Sequence, residues 1–341
     1  MLDFDLHQLQ NEQTTTLFEI ALVFTTIFIP RYPVLTFLFN YFNNKQQKIC
    51  TKNQIMTNRR AVFECCVDSI ESAVAAANGG AMRLEICSSL AEGGITPSLG
   101  LFLQIRRRFP DLFLAVLVRP RGGDFHYSAD EIEVMVEDIN AFRTNGADGI
   151  VVGALTKEGE YDEAAMEKFI LAADFAEVTF HRAVDLAPNP KRVLEKCQNM
   201  GVRRILTSGG APTAHEGRFK IREMVEIVNY LFPGELRDNF VVAAASGISE
   251  TNAVETLNDS GADQLHGSLR VEKRKPDFDF SKTVEAEGSK SKVIKMDLME
   301  QFGKVYVTSQ DRLEKLLSRI AWREESGTDH ARPKHSERVS S

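Results

Sequence analysis

The chain has 341 residues, 43% hydrophobic and 26% charged, enough apolar material for one large core or two small ones. Its formal net charge of −7 argues against a general nucleic-acid surface, and with no zinc-finger or helix-turn-helix spacing no nucleic-acid partner is expected. The five cysteines (Cys50, Cys65, Cys66, Cys87, Cys197) are odd in number and irregularly spaced, which speaks against a secreted disulfide scaffold and for a reducing compartment.

Residues 17–42 are apolar, but Glu19 and Arg31 interrupt them, and Pro30 and Pro33 would disrupt a helix. The charge-free runs 20–30 and 32–42 are eleven residues each, whereas a spanning helix needs about 20. Asp3, Asp5 and Glu12 do not suit the basic start of a signal peptide. No membrane is expected as a partner, and residues 1–60 read as a poorly ordered extension. Met56, ahead of Thr57-Asn58-Arg59-Arg60, offers a second start just before the first strand.

From residue 61 short β-branched runs alternate with amphipathic stretches, the signature of a parallel sheet built from βα units. Strands are predicted over 62–67, 83–87, 112–119, 149–154, 177–182, 204–208, 241–245 and 263–268. A helix over 69–78 closes on Gly79-Gly80. Another over 130–145 carries Ile132, Met135, Val136, Ile139 and Phe142 on one stripe. The junctions Gly80-Ala81, Gly146-Ala147-Asp148 and Gly261-Ala262-Asp263 repeat one form. Eight such units across residues 61–270 fit an α/β fold, a parallel (β/α)8 TIM barrel. An open doubly wound sheet would want a glycine-rich turn after its first strand, and Asp68-Ser69-Ile70-Glu71 stands there instead. Beyond the barrel, 271–304 reads as a charged linker, 305–321 as a C-terminal helix and 322–341 as a disordered tail.

Barrel chemistry sits at the carboxyl ends of the strands. Because side chains two apart share a face, Glu64 and Cys66 point one way on the first strand, and Arg83, Glu85 and Cys87 do so on the second. If both sets face inward, Cys66 and Cys87 lie close enough to share one ion, and a sulfur pair favours Cu(I). The plainer alternative is that these cysteines simply fill space. Arg83, Arg119 and Arg121 within or beside apolar strands imply either a salt-bridge network or an anion site to which Ser208 and His266 would add. In the second case Glu85, His181 and Asp185 are the candidate acid–base groups of an enzyme acting on a small anionic ligand. A barrel serving only as a scaffold explains so many charges at strand ends least well.

The segments Glu64-Cys65-Cys66-Val67-Asp68-Ser69 and Gly79-Gly80-Ala81-Met82-Arg83-Leu84-Glu85-Ile86-Cys87-Ser88 resemble the CutC copper-homeostasis family. So do Glu92-Gly93-Gly94-Ile95-Thr96-Pro97-Ser98, Arg119-Pro120-Arg121-Gly122-Gly123-Asp124-Phe125, Thr179-Phe180-His181-Arg182-Ala183 with Asp185, and Leu206-Thr207-Ser208-Gly209. The resemblance implies a (β/α)8 barrel, a cytoplasmic setting that extends to the nucleus, and a role in copper handling. It places the family's copper-linked cysteines on Cys66 and Cys87, with copper as Cu(I) the expected partner. Departures are Met82 in place of an aspartate, Gly267 where some members have a further cysteine, and Ala243-Ala244-Ala245-Ser246-Gly247 in place of a glycine-rich segment. Self-association through exposed apolar helix faces is a further expectation.

Overall fold

Alternation of β-branched and small side chains in short runs produces eight parallel strands. They are β1 (Val62–Val67), β2 (Arg83–Ile86), β3 (Phe113–Leu117), β4 (Gly149–Val152), β5 (Glu177–Phe180), β6 (Arg204–Thr207), β7 (Val241–Ala245) and β8 (Gln264–Gly267). A computed structural model describes residues 62–232, 234–273 and 305–325. In it the strands close into a barrel in sequence order, with β8 paired back onto β1, as the alternating pattern predicts. The expectations placed on residues 1–60 and 326–341, and most of the expected linker, lie outside the described residues.

The connecting helices are α1 (Ile70–Asn78), α2 (Leu99–Arg108), α3 (Ala129–Thr144), α4 (Glu163–Ala173), α5 (Pro190–Asn199), α6 (Arg218–Leu231), the short α7 (Glu235–Asp238) and α8 (Ala253–Ser260). Side chains of Ser69, Ser98, Ser128, Asp162 and Asn189 cap helix amino ends by accepting backbone N–H bonds. These caps fix where each strand loop turns into its helix. No helix among the described residues is long and apolar enough to cross a membrane.

The region after the barrel differs from expectation. Arg270–Lys273 (β9) and Val305–Thr308 (β10) pair as an antiparallel two-stranded sheet, and the last helix, α9 (Gln310–Glu325), starts five residues later than the predicted 305. The reason is local: Val305-Tyr306-Val307-Thr308 is a β-branched and aromatic run that favours extended backbone. Helix α9 packs against α1 and α8, the place of the eighth barrel helix. It buries Leu313, Leu316 and Ile320. The Leu313 side chain comes so near Gly79 that a Cβ there would lie 3.1 Å from it.

Outward-facing strand residues form the large core beneath the helices. A smaller inner core holds Cys66, Cys87, Phe113, Leu117, Val151 and Leu206 with the small Ala115, Ala243 and Ala245. Those small side chains leave room inside the barrel for Glu64, Arg83, Glu85 and Arg204, all buried.

In the loop after β7, Ser246 is held at φ +87°, a conformation natural to glycine and strained for serine. We expect Ser246→Gly to stabilise the fold by about 1 kcal/mol through relief of this strain, less whatever is lost with the exposed Ser246 Oγ bond to the Pro212 carbonyl. Thermal unfolding checks this, and a lowered midpoint would contradict it.

Candidate metal centre at the barrel mouth

The inward period-two set on β1 and β2 builds the site from its floor. Glu64 is wholly buried and accepts from Arg83 Nε at 2.9 Å, from an Arg204 Nη at 2.8 Å, and pairs with His266 Nδ1 at 2.9 Å. Arg83 reaches Glu177 at 2.7 Å, and Arg204 Nε reaches Gln264 Oε1 at 2.9 Å. Burial opposes charge on Glu64, yet Arg204, Arg83 and His266 together hold its carboxyl well below the usual carboxylate range.

One layer nearer the mouth, Cα register places Cys66 beside Glu85 and Glu64 beside His266. Ligand atoms of Cys66, Glu85 and His266 all lie within 4.8 Å of one another. His266 Nε2 stands 3.9 Å from Glu85 Oε1, and the ring lies beside the Cys66 thiol. Glu85 Oε2 is buried with no hydrogen-bond partner. Cys87 lies two positions beyond the register partner of Cys66. Its thiol donates to the Val67 carbonyl at 3.5 Å.

Electrostatics follow from this packing. Burial disfavours charge on His266, but Glu85, Cys66 and Glu64 outweigh it and push the imidazole up to about 10. The Cys87 contact and burial push the Cys66 thiol up, with His266 opposing them. Burial likewise pushes the Glu85 carboxyl up, against His266. An unfolded histidine titrates near 6.5, so the stability His266 contributes is complete below that pH and is lost as pH rises to about 10. Between pH 6.5 and 8 the unfolding free energy should therefore fall by up to about 1.4 kcal/mol per unit. His266→Gln should flatten this slope in urea titrations, and an unchanged slope would remove His266 as its source.

The other predicted site residues do not converge as expected. Arg83 begins β2, below the mouth, and its guanidinium is held by Glu64 and Glu177. Arg119 is buried and donates to the carbonyls of Glu92, Gly94 and Gly123, tying two loops together. Arg121 faces outward to Glu131 and Asp124 and stacks over Tyr127. The three arginines thus form no common fork. Asp185 accepts from Thr207 Oγ1 at 2.5 Å, the Ser208 amide at 3.0 Å and Arg182 Nε at 2.9 Å, while Ser208 Oγ donates to the Ala211 carbonyl. These two residues hold a loop, and Asp185 has no hydrogen bond to His181, so the expected acid–base trio with Glu85 is not assembled. His181 is buried on the other side of the mouth, and burial together with Arg119 lowers its imidazole to about 3.

Sequence reasoning missed Arg204, Glu177 and Gln264 as parts of the site. Arg204 and Glu177 stand at strand starts, the end of a barrel opposite its usual chemistry. Their signal was available: a charged residue opening an otherwise apolar strand needs a buried partner.

The CutC family profile matches residues 61–271, more than half of the chain. The chain belongs to the CutC family. It is 42% identical over 209 residues to the human copper homeostasis protein cutC homolog, covering 61% of this chain and 73% of that one. A CutC family protein of Histophilus somni is 40% identical over 209 residues, covering 61% and 82%. Among solved structures, the copper homeostasis protein CutC of Streptococcus agalactiae superposes with a TM-score of 0.56 at 27% identity, covering 61% of this chain and 98% of that one. The CutC match begins and ends with the barrel, leaving α9 beyond it.

Proposed function

We propose that this CutC protein binds Cu(I) at the barrel mouth through Cys66 and His266, with Cys87 as the second sulfur. The observation that carries the reading is the line Glu64–His266–Cys66. Glu64 engages Nδ1 and so turns Nε2 toward the thiol, the buttressed histidine arrangement typical of metal ligands. Thiolate sulfur and imidazole nitrogen are suited to Cu(I). Glu85, with an unpartnered Oε2, supplies negative charge beside the ion. Among the described residues Cys65, Cys66, Cys87 and Cys197 are buried free thiols, which suits a reducing compartment, and we place this function in the cytoplasm and nucleus.

Binding would displace the proton on the Cys66 thiol and the one on His266 Nε2, both held more tightly than usual. Affinity for Cu(I) should therefore rise with pH, by as much as about tenfold per unit for each proton released. The test is anaerobic Cu(I) competition against a chelator, using the full chain. Cys66→Ser and His266→Ala are expected to weaken binding at least about 100-fold, with a smaller loss for Cys87→Ser. Unchanged affinity in Cys66→Ser would overturn the reading. Unchanged affinity in Cys87→Ser alone would reduce the site to one sulfur and one nitrogen.

A further inference from the structure

Across the mouth from the Cys66 group, two buried donors have no acceptor. His181 is 5% exposed, and its Nδ1 accepts the Ala183 N–H at 3.2 Å. A neutral imidazole that accepts at Nδ1 carries its proton on Nε2, and that atom has no hydrogen-bond partner. Arg119 is 7% exposed; its Nη groups are taken by backbone carbonyls, while Nε has no partner. No carboxylate among the described residues lies in ion-pair contact with Arg119, so its charge is met by carbonyl dipoles, the Phe125 ring and the nearby Tyr127 hydroxyl. Buried donors and buried charge are both costly when unmatched.

The two side chains share one wall. The Phe125 ring centroid lies 4.6 Å from that of His181 and 5.0 Å from the Arg119 guanidinium carbon. Strand β4 runs between their strands and is followed by Gly153, where a Cβ would come within 2.7 Å of His181 Nδ1. The absence of a side chain there is what lets the His181 ring occupy its position. Glu85, the nearest carboxylate of the other group, pairs with Ala115, four residues below Arg119 on β3.

We propose that Arg119 Nε–H and His181 Nε2–H form a binding site for a small carboxylate, beneath the ring of Phe125. Two single N–H donors match the two oxygens of a carboxylate, and the cation beside a neutral imidazole selects an anion over a neutral carbonyl. Phosphate would require more donors than this pair offers. The site replaces the three-arginine arrangement with one guanidinium and one imidazole, and it does not depend on copper.

The test is a titration of the full, metal-free chain, with its histidines labelled with nitrogen-15, against acetate, with inorganic phosphate and chloride in parallel. Acetate should shift the His181 ring resonances saturably, with the imidazole remaining in its Nε2–H form. His181→Phe, which keeps a ring against Phe125, should weaken acetate binding about tenfold or more, the worth of one hydrogen bond to a charged group. Gly153→Ala retains both donors and displaces the ring, so it should also weaken binding, with circular dichroism reporting that the fold stands. No saturable response of His181 to acetate in the unmodified protein would overturn the proposal and leave the two donors to internal water. A response equal for acetate and chloride, or undiminished in His181→Phe, would overturn it as well.

Discussion

Glu64→Ala should be the most damaging single substitution inside the barrel, lowering stability by about 3–5 kcal/mol. The carboxylate receives Arg83, Arg204 and His266 at once, and none of the four is exposed beyond a small fraction. Removing it leaves Arg83 with Glu177, but leaves Arg204 with only the Gln264 amide. A buried guanidinium without a counter-charge is the case in which breaking an ion pair costs most. For a domain of this size each kcal/mol is worth about 2–4 °C, so the midpoint of thermal unfolding should fall by about 6–20 °C. Glu64→Gln keeps the shape and should cost less. Pairing Glu64→Gln with Arg204→Met should recover part of the loss, because the stranded cation is removed with its partner. A fall of less than about 1 kcal/mol for Glu64→Ala would show that the network is not the barrel's internal support. For the Cu(I) site proposed above, the same variant should also weaken binding, since His266 loses the group that orients it.

The second large effect is expected at α9. Leu313 and Leu316 are fully buried and Ile320 nearly so, packed where α1 and α8 leave a gap in the helical ring. At about 1.5–3 kcal/mol for each buried side chain, the three contribute on the order of 5–9 kcal/mol, comparable to the whole stability of a typical domain. Leu316→Ala should cost about 2–5 kcal/mol. A chain ending at residue 304 should fail to unfold cooperatively, with exposed apolar surface that binds hydrophobic dyes. A sharp unfolding transition in that shortened chain would show that the barrel closes without its eighth helix.

How far the sequence discloses these features depends on the range of the interactions involved. The eight strands are legible because each is a short β-branched run followed by its own amphipathic helix, and both signals are local. Cys66 and Cys87 are legible as inward residues because period two assigns their faces once the strands are known. Their exact partners are not. Whether Cys66 meets Cys87 or His266 depends on register between strands and on which strand closes onto β1, and no local pattern encodes that. Hence Glu85 and His266 were each assigned a role without being joined to Cys66. The ion pair of Arg83 is illegible for a related reason: a charge in an apolar strand requires a partner, but the partner, Glu177, lies 94 residues away. The strand at Val305–Thr308 was hidden because a four-residue extended run directly before a strong helical stripe is easily absorbed into it.

The contact between Glu64 and His266 joins residues 202 positions apart. On a growing chain Cys66 and Cys87 therefore leave the ribosome long before the histidine that faces Cys66 is made. Until β8 docks against β1, the first half of the site is a pair of uncovered thiols on unclosed strands, open to oxidants and to any soft metal. Long-range parallel pairing of this kind is slow to form, so nascent chains should pass through an interval in which both thiols are made but the barrel is not closed over them. Translation speed across β3 to β8 would set the length of that interval.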